Sequence, residues 1–519
     1  MARRGCLLFY LCCNLLFSCS DHELDGPHTS EDTNGQGKAY LTVTLTMPQT
    51  GDTRSSTNNQ GGTGEGTENA YDRECRVTDA YILLGEVAEG MDAPIKVYSH
   101  HHITEFKQTG NNPALWSATF QCDPGHYRVM LIANPGKMVD KLEMMQNNDW
   151  ASLVNHVLKT DNYAELQTLW EDNHFLMTNA YHGSLDSHDV TLVSGEHTYK
   201  EICVQRACAR FDYQPKYENN SYPLTLPVDG TDKTINISLN GAALMNVSNN
   251  FNLFKLIAKD NTPGTTPLFY AYETGSNYVY DSDWTEKRIF MTPVFEDWRT
   301  GEYFFYPSER KASDTYTDTL DYHPLSTAVP QDLSEYEPLF YCTENTLPGA
   351  NAQINKLSTA VVFKGAFTVP DVTATNLYYY KPTKERSEIY TTPEKLRETL
   401  KKEGVVLPDN PDDRTLASHN VKRFARQADG SYPVWFTYWN RHNDNKKPLE
   451  MGIMEFAVVR NNIYKLQVNS ISALGLPEPP TDPNNPWKPE GNTPDELVSV
   501  MDVTVEVSEW VERTLDHEI

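Results

Sequence analysis

A run of alternating apolar and polar residues lies near the N-terminus, at Ala39–Met47. The side chains of Leu41, Val43, Leu45 and Met47 fall on one side of this run, and three threonines separate them. Successive side chains of a β-strand point to opposite faces, so the pattern predicts a strand with one buried face.

A second run of the same kind, Val498–Val511, lies close to the C-terminus. It places Met501, Val503, Val505 and Val507 on one side, again separated mostly by polar residues. We interpret these two strands as alternative occupants of one groove, in a sheet that lacks a strand. Four such side chains contribute about 6–12 kcal/mol gross on burial.

A proline-rich segment, Pro477–Pro494, separates the last run from the rest of the chain. It holds seven prolines. We expect it to be extended, at roughly 3.1 Å per residue where it is polyproline-like, and to carry the last strand to a neighbouring molecule. The alternative is that the strand folds back as an edge strand of its own domain.

Between the two ends, short apolar runs alternate with turn signals. Runs that predict strands include Val77–Leu84, Gly125–Asn134, Tyr199–Tyr213, Thr359–Thr368 and Ile463–Ser470. Short strands at this spacing favour β-sandwiches over a parallel α/β sheet. The 29 tyrosines fit the same conclusion.

Helical patterns are few. The segment Lys137–Leu169 is the most helical, and Thr392–Lys402 predicts a short helix with Pro393 in its first turn. The polar stretch Gln214–Thr234, which contains prolines, is interpreted as a domain boundary.

The N-terminus predicts export. Two arginines precede the apolar run Cys6–Phe17, which is too short to span a membrane as a mature helix. It ends in Ser18-Cys19, which resembles a bacterial lipobox whose cysteine, Cys19, accepts lipid. Ordinary secretory cleavage is the alternative. The acidic residues after Cys19 resemble the surface-export signal of Bacteroidota lipoproteins.

The segment Gln49–Thr67 is rich in Gly, Ser, Thr and Asn, so we expect it to be flexible and exposed. Arg54 is its only basic residue. A protease that cuts after arginine would therefore find one accessible bond there, between Arg54 and Ser55.

Composition narrows the classes of function. The net charge of −27 argues against nucleic-acid binding and against docking on anionic lipid. After removal of a signal peptide and lipidation of Cys19, five of the nine cysteines remain, without regular spacing. We expect them to be buried free thiols.

Catalytic patterns are weak. Adjacent histidines alternate faces on a strand, so His100, His101 and His102 do not converge on one metal, and we interpret them as a surface run. The acidic turn Asp409–Asp413 lacks EF-hand spacing. No nucleophile, zinc-protease or phosphate-loop motif is present, and nothing singles out a pair of glycosidase carboxylates. We expect neither an enzyme, a cofactor nor a metal site.

One stretch resembles a known family. Met451–Gly475, with the segment VVRNNIYKLQV, followed by a proline-rich tether and a final valine strand, resembles the C-terminal region of Bacteroidales fimbrillins. Within that family it is most similar to the major subunit of short, Mfa-type fimbriae. Trp435–Asn445 and Leu339–Thr346 also resemble the family.

The resemblance implies a type V pilin with two transthyretin-like β-sandwich domains, exported as a lipoprotein. It also implies that an Arg-specific surface protease removes the first strand, with Arg54 as the matching residue and Arg73 or Arg76 as fallbacks. A strand from a neighbour then fills the groove. The expected divisions are a signal peptide at 1–18, a propeptide at 19–54, sandwich domains at 55–215 and 216–476, and a tether with donor strand at 477–519.

The function expected is that of a structural subunit of an adhesive surface fimbria, associated with virulence. Its expected partners are copies of itself, accessory and anchor subunits, the protease and, through lipid on the precursor, the outer membrane. Two alternatives stay open: an accessory or tip adhesin of the same fimbria, and a surface glycan-binding lipoprotein.

Overall fold

The computed structural model describes residues 37–47, 67–91, 93–110, 115–138, 149–170, 174–179, 188–257, 268–269, 279–283, 320–347, 357–444, 452, 454–482, 485–487 and 500–511. Cys19, Arg54 and Ser55, which the sequence marks for lipidation and cleavage, lie outside these ranges. From Lys38 onward the chain forms one compact unit.

Strands dominate the described residues. In chain order they are β1 Ala39–Thr46, β2 Thr67–Asn69, β3 Ala80–Glu86, β4 Val97–Ile103, β5 Lys107–Gln108, β6 Trp116–Cys122, β7 Gly125–Ala133, β8 Val157–Lys159, β9 Met177–Asn179, β10 Asp189–Leu192, β11 His197–Arg206, β12 Ala209–Tyr213, β13 Ser221–Val228 and β14 Thr231–Met245. The later strands are β15 Asn250–Asn252, β16 Leu256–Ile257, β17 Leu268–Phe269, β18 Val279–Tyr280, β19 His323–Pro324, β20 Glu337–Cys342, β21 Ala360–Thr368, β22 Asn376–Tyr380, β23 Glu388–Tyr390, β24 Val421–Ala425, β25 Tyr432–Trp439, β26 Asn462–Ile471 and β27 Met501–Val511.

The helices of the described part are short. They are α1 Asp72–Cys75, α2 Trp150–Val154, α3 Tyr163–Gln167, α4 Pro393–Lys402 and α5 Asp413–Ser418, with 3₁₀ turns at Gly136–Met138 and Glu218–Asn220. No helix within the described ranges is both long and apolar enough to cross a membrane.

Three large sheets organise these strands. The first has the order β4-β3-β7-β9-β11-β1-β6-β5, with β10 also on β7. The second has the order β2-β27-β26-β12-β20 and therefore joins strands from both ends of the chain. The third has the order β24-β22-β23-β13-β14-β21-β25, with β19 on β14. Two small sheets, β15-β8 and β17-β16-β18, complete the described pairing.

A continuous apolar core lies between these layers and includes side chains of all three large sheets. In β7, every residue from Tyr127 to Ala133 is buried, which is typical of a strand covered on both faces. The mainly β fold of sandwich layers, expected from the sequence, is confirmed. The predicted domain boundaries stay predictions.

Helix α4 agrees with its sequence signals. The hydroxyl of Thr392 accepts a hydrogen bond from the backbone N–H of Lys395, and Pro393 occupies the first turn. Leu396 and Leu400 are buried on one face. The segment Lys137–Leu169 differs from its prediction, because its described part holds only two five-residue helices around β8.

The interpretation of Gln214–Thr234 as a domain boundary stays a prediction, although the stretch has more regular structure than its prolines suggest. The stretch contains β13, which pairs with β14 along its whole length in register from Ser221↔Ser238 to Val228↔Thr231. Asp229 and Gly230 form the two-residue turn, both with positive φ (50° and 81°), as a type I′ hairpin requires.

Candidate functional site: the first and last strands

Strand β1 lies inside the first sheet. It pairs in parallel with β11, from Tyr40↔His197 to Thr46↔Cys203, and antiparallel with β6, from Ala39↔Cys122 to Leu45↔Trp116. Within the described residues, β11 and β6 are joined in the sheet only through β1. Loss of β1 would therefore open a groove one strand wide.

The apolar face of β1 enters the core. Leu41 and Val43 are 0% exposed, Leu45 is 1% exposed and Met47, just after the strand, is 2% exposed. These are the four residues that the alternating pattern places on one face. Their burial contributes about 6–12 kcal/mol gross, so the strand is held firmly while it remains joined to the chain.

The opposite face of β1 carries polar bonds to both neighbouring strands. The Thr42 hydroxyl oxygen lies 2.6 Å from the hydroxyl oxygen of Thr119 and 2.6 Å from Nε2 of His197. The amide of Gln121 donates to the Tyr40 hydroxyl at 3.1 Å. Cross-strand bonds of this kind fix the register, because a one-residue slip would exchange the two faces.

The fallback cleavage residues lie after β2. Arg73 is in α1 and donates to the Tyr341 hydroxyl at 3.1 Å, and Arg76 is an exposed residue that follows the helix. The true cleavage bond stays a prediction.

Strand β27 lies in the second sheet of its own chain. It pairs antiparallel with β26, from Asn462↔Glu509 to Ile471↔Met501, and its end pairs in parallel with β2 through residues 509–511. This is the fold-back arrangement that the sequence left open as the alternative.

The predicted apolar face of β27 packs against the core. Met501, Val505 and Val507 are buried, and Val503 is half-buried. The strand therefore already has a groove within its own chain. A role as donor to a neighbour stays a prediction.

Sequence reasoning missed the buried end of β27. Trp510 is 0% exposed although it lies off the alternation that buries Met501, Val505 and Val507. Its indole Nε1 donates to Oε2 of Glu74 at 3.2 Å. We call its surroundings the Trp510 socket, formed by Glu74, Cys75, Arg206, Arg210, Tyr341 and Asn461.

Cations face the indole ring in the socket. The guanidinium carbon of Arg206 lies 4.4 Å from the Trp510 ring centroid, and that of Arg210 lies 5.2 Å from it. Tyr341 stacks nearly parallel to the indole, with the ring centroids 6.1 Å apart. Cation–π contacts are strongest where water is excluded, and Arg206, Arg210 and Trp510 are all buried.

The socket also contains buried carboxylates. Arg210 donates to both carboxylate oxygens of Asp212 at 2.8 Å and to Glu74 at 2.8 Å. Burial alone would lower the pKa of Arg210, but Asp212 and Glu74 raise it above its usual value. Tyr341 donates to Glu74 at 2.7 Å, and burial together with that carboxylate raises the tyrosine pKa. Arg210 therefore stays protonated at neutral pH, and its charge is paired with Asp212 and Glu74.

The described residues of the proline-rich segment, 477–482 and 485–487, pack on the body of the same chain. Just before them, Leu476 and Trp435 exchange backbone hydrogen bonds, and the backbone N–H groups of Asp482 and Asn485 donate to carbonyls three residues earlier, as in turns. The indole of Trp487 donates to the carbonyl of Val421 at 2.6 Å. The expectation of an extended tether was therefore wrong for its described part, because aromatic and amide side chains find partners on the body.

The histidine run lies on β4. His102 lies 2.9 Å from an Asp79 oxygen and His100 bonds the Tyr81 hydroxyl, whereas the His101 ring packs 4.6 Å from Phe120. His101 thus faces away from its neighbours, as alternation requires. Within the described residues, no group of three potential ligands is placed to hold a metal.

The cysteines agree with the sequence interpretation. Those in the described ranges are all buried and form no disulfide, namely Cys75, Cys122, Cys203, Cys208 and Cys342. Burial raises the pKa of Cys122 to about 11 and that of Cys342 to about 12, so both stay protonated thiols at neutral pH.

A comparison with known protein families matches a segment near the C-terminus. Residues 432–516 match the family model described as major fimbrial subunit protein type IV, fimbrillin, C-terminal. We call these matched residues, 432–516, the fimbrillin region. This fimbrillin region includes β25, β26 and β27, and the match confirms the resemblance drawn from Met451–Gly475. Similarity to Mfa-type subunits in particular stays a prediction.

Solved structures give distant matches. A fimbrilin (fimA) from Porphyromonas gingivalis is 12% identical with a TM-score of 0.41, covering 92% of this chain and 99% of that one. The tip fimbrial protein Mfa3 from the same organism is 11% identical with a TM-score of 0.33, covering 91% of this chain and 100% of that one. No curated protein matches the chain.

Proposed function

We propose that this chain is a structural subunit of a cell-surface fimbria and polymerises by exchanging β1 for the last strand of a neighbouring copy. The observation that carries the proposal is the place of β1. It fills the space between β11 and β6, and residues 48–66 connect it to the part of the chain that forms the other described strands.

A cut within residues 48–66 separates β1, with the residues before it, from all other strands. Arg54 is the only basic residue in this stretch, so an Arg-specific surface protease is the proposed trigger. Before the cut, β1 is held at high effective concentration. After the cut, β1 is no longer tethered and its effective concentration falls. Once it dissociates it does not rebind, which makes the exchange one-way.

The replacement strand is proposed to be β27. Its apolar residues Met501, Val503, Val505 and Val507 repeat every second residue, as do Leu41, Val43, Leu45 and Met47 of the first strand. Within the acceptor groove, exchange of one strand for the other is close to neutral in burial. The donor must also leave its pairing with β26, so cleavage and release of β1 supply the direction.

The remaining elements of the proposal concern the precursor. We propose that it is an outer-membrane lipoprotein anchored through Cys19, that it assembles with accessory and anchor subunits, and that it has no catalytic role. The fimbrillin region supports the fimbrial assignment. Metabolic labelling with palmitate, lost in Cys19→Ala, tests the anchor.

The test of polymerisation uses the purified full chain and an Arg-specific protease. We expect a ladder of oligomers on SDS gels loaded without boiling, and an N-terminus at Ser55 in the cut product. Arg54→Ala is expected to stay monomeric and uncut. A wild-type protein that is cut but stays monomeric would contradict the proposal.

A further inference from the structure

The Trp510 socket touches both strands that the proposed exchange involves. The Nη2 of Arg206 donates to the Sδ of Met47 at 3.2 Å, at the end of β1. The Nη1 of the same side chain donates to the backbone carbonyl of Trp510 at 3.4 Å, and its guanidinium lies 4.4 Å from the indole centroid. One buried side chain therefore bridges the two ends of the chain.

We propose that Arg206 couples release of the first strand to release of the last. While β1 is in place, Met47 closes the socket and Trp510 is held. When β1 leaves, the socket opens at Arg206 and β27 is freed to act as a donor. This inference rests on the proposed function, since it supplies the order of events in strand exchange.

The coupling follows from how Arg206 is satisfied. It is 0% exposed, and its Nε donates to the backbone carbonyl of Glu74 at 3.0 Å. Its Nη2 bonds two sulfurs, those of Met47 and Cys75, which are weak acceptors. Nη2 of Arg206 therefore keeps these weak contacts only while water is excluded from it. Met47, which helps to exclude that water, leaves with β1.

Removal of Met47 changes the electrostatics around the indole. Water that enters beside Nη2 offers a stronger acceptor than a thioether and raises the local dielectric. Both effects weaken the attraction between the Arg206 guanidinium and the Trp510 ring, because cation–π contacts lose strength when they are hydrated.

The backbone around the socket gives a second link. Strand β2 pairs in parallel with residues 509–511 of β27, and α1 follows β2 at once with Glu74, which accepts from the indole. The end of β27 is therefore clamped by the segment that begins directly after residues 48–66. Cleavage there turns the clamping segment into a new chain end.

The alternative role of Arg206 is that of a static brace. A brace would stabilise the whole fold. Truncation of Met47 would then affect β27 no more than truncation of another buried residue of β1 does. The two roles are separated by comparing Met47→Ala with Leu41→Ala. Leu41 is also fully buried on β1 but lies at the opposite end of the strand, six residues from Met47.

The experiment measures hydrogen exchange of peptides spanning residues 500–511 in the uncut, monomeric full chain. We expect Met47→Ala to speed exchange in β27 roughly three- to tenfold, the effect of losing one buried hydrogen bond. Leu41→Ala should speed exchange in β1 and leave β27 at the wild-type rate. Hydrogen exchange in β7, a strand of the first sheet, reports the global stability of each variant.

Two results would overturn the coupling: an unchanged β27 in Met47→Ala, or equal acceleration of β27 in both variants after correction for β7. Met47→Leu keeps the volume but removes the sulfur acceptor, and it should show a smaller acceleration in the same place. Because these measurements use uncut monomer, the coupling can fail while ladders still form, and the ladders can fail while the coupling holds.

Discussion

Leu45→Ala is the change that tests most sharply whether the apolar face of β1 retains the strand. Leu45 is 1% exposed and lies opposite Ile202 on one side and Trp116 on the other. Truncation of a buried leucine to alanine removes about 2–5 kcal/mol. That is a large part of the roughly 6–12 kcal/mol gross from the four apolar side chains.

Thr44→Ala is the matched control. Thr44 is the preceding residue, is half-buried and points away from the core. Both variants lie on the same strand and both end in alanine, but Leu45→Ala removes apolar volume from the core face and Thr44→Ala removes a smaller, polar side chain from the opposite face. The expected cost of Thr44→Ala is below about 1 kcal/mol.

The assay follows release of the N-terminal segment after cleavage with the Arg-specific protease, by mass spectrometry of the free fragment. If the lost energy appears in the dissociation rate, Leu45→Ala should release the segment about 30-fold to a few thousand-fold faster than wild type. Thr44→Ala should release it at close to the wild-type rate. Equal release rates for the two variants would refute the claim that core packing of Leu45 retains β1.

Three further outcomes follow from the structure. Trp510→Ala should lower the free energy of unfolding by about 3–5 kcal/mol, measured by urea denaturation, because it empties a buried aromatic site; a loss below about 1 kcal/mol would contradict the socket. Glu74→Gln leaves Arg210 with one buried carboxylate fewer, and we expect a loss of about 3–5 kcal/mol in the same assay; an unchanged midpoint would show that the Glu74 carboxylate is dispensable. Burial, helped by the neighbouring His100, holds the pKa of His101 at about 4, below its usual 6.5. The unfolded chain therefore takes up this proton first, so stability is lost as pH falls from 6.5 towards 4, and His101→Gln should make the pH profile shallower in that window.

The sequence was sufficient for elements whose burial is one-sided. The face of β1 and helix α4 were both predicted correctly, since in each case one set of side chains enters the core and the other meets solvent or polar neighbours. Patterns of period 2 and 3.6 report that kind of burial directly.

The sequence was insufficient where prolines interrupt a strand pattern. Tyr222, Leu224, Leu226 and Val228 alternate through β13, but Pro223 and Pro227 between them suggested a domain boundary rather than a strand. Both prolines lie on the less buried face of a strand that, over most of its described length, pairs on one side only. The Asp229-Gly230 turn was the signal that could have shown the hairpin.

The Trp510 socket depends on contacts between residues far apart in the chain. Glu74 and Trp510 are separated by 436 positions, and Arg206 and Trp510 by 304. No periodicity in one segment records such a meeting. The only local sign was that Trp510 breaks the alternation of β27, which marks the point where the strand becomes buried on a second face.

The docked part of the proline-rich segment has a similar origin. Trp487 bonds the carbonyl of Val421, which belongs to a strand more than sixty residues earlier. Proline content predicts backbone stiffness but says nothing about whether side chains between the prolines find partners on the body. For β27 to reach a neighbouring molecule, this segment must either detach from the body or stay docked while β27 alone moves.

The central claim, exchange of β1 for the last strand of another copy, is tested most directly by a disulfide trap between two different proteins. One carries Ala118→Cys, at the position opposite Val43 in the groove. The other carries a cysteine at Val503, Val505 or Val507 in turn. Directly opposed residues of paired strands are close enough for a disulfide.

The two proteins are mixed, treated with the Arg-specific protease under oxidising conditions, and compared with each protein alone, since native Cys122 also lies beside β1. We predict that at least one pairing gives a heterodimer that survives boiling, is reversed by reductant and appears only after cleavage. Absence of a heterodimer in all three pairings, or its formation without cleavage, would contradict strand exchange.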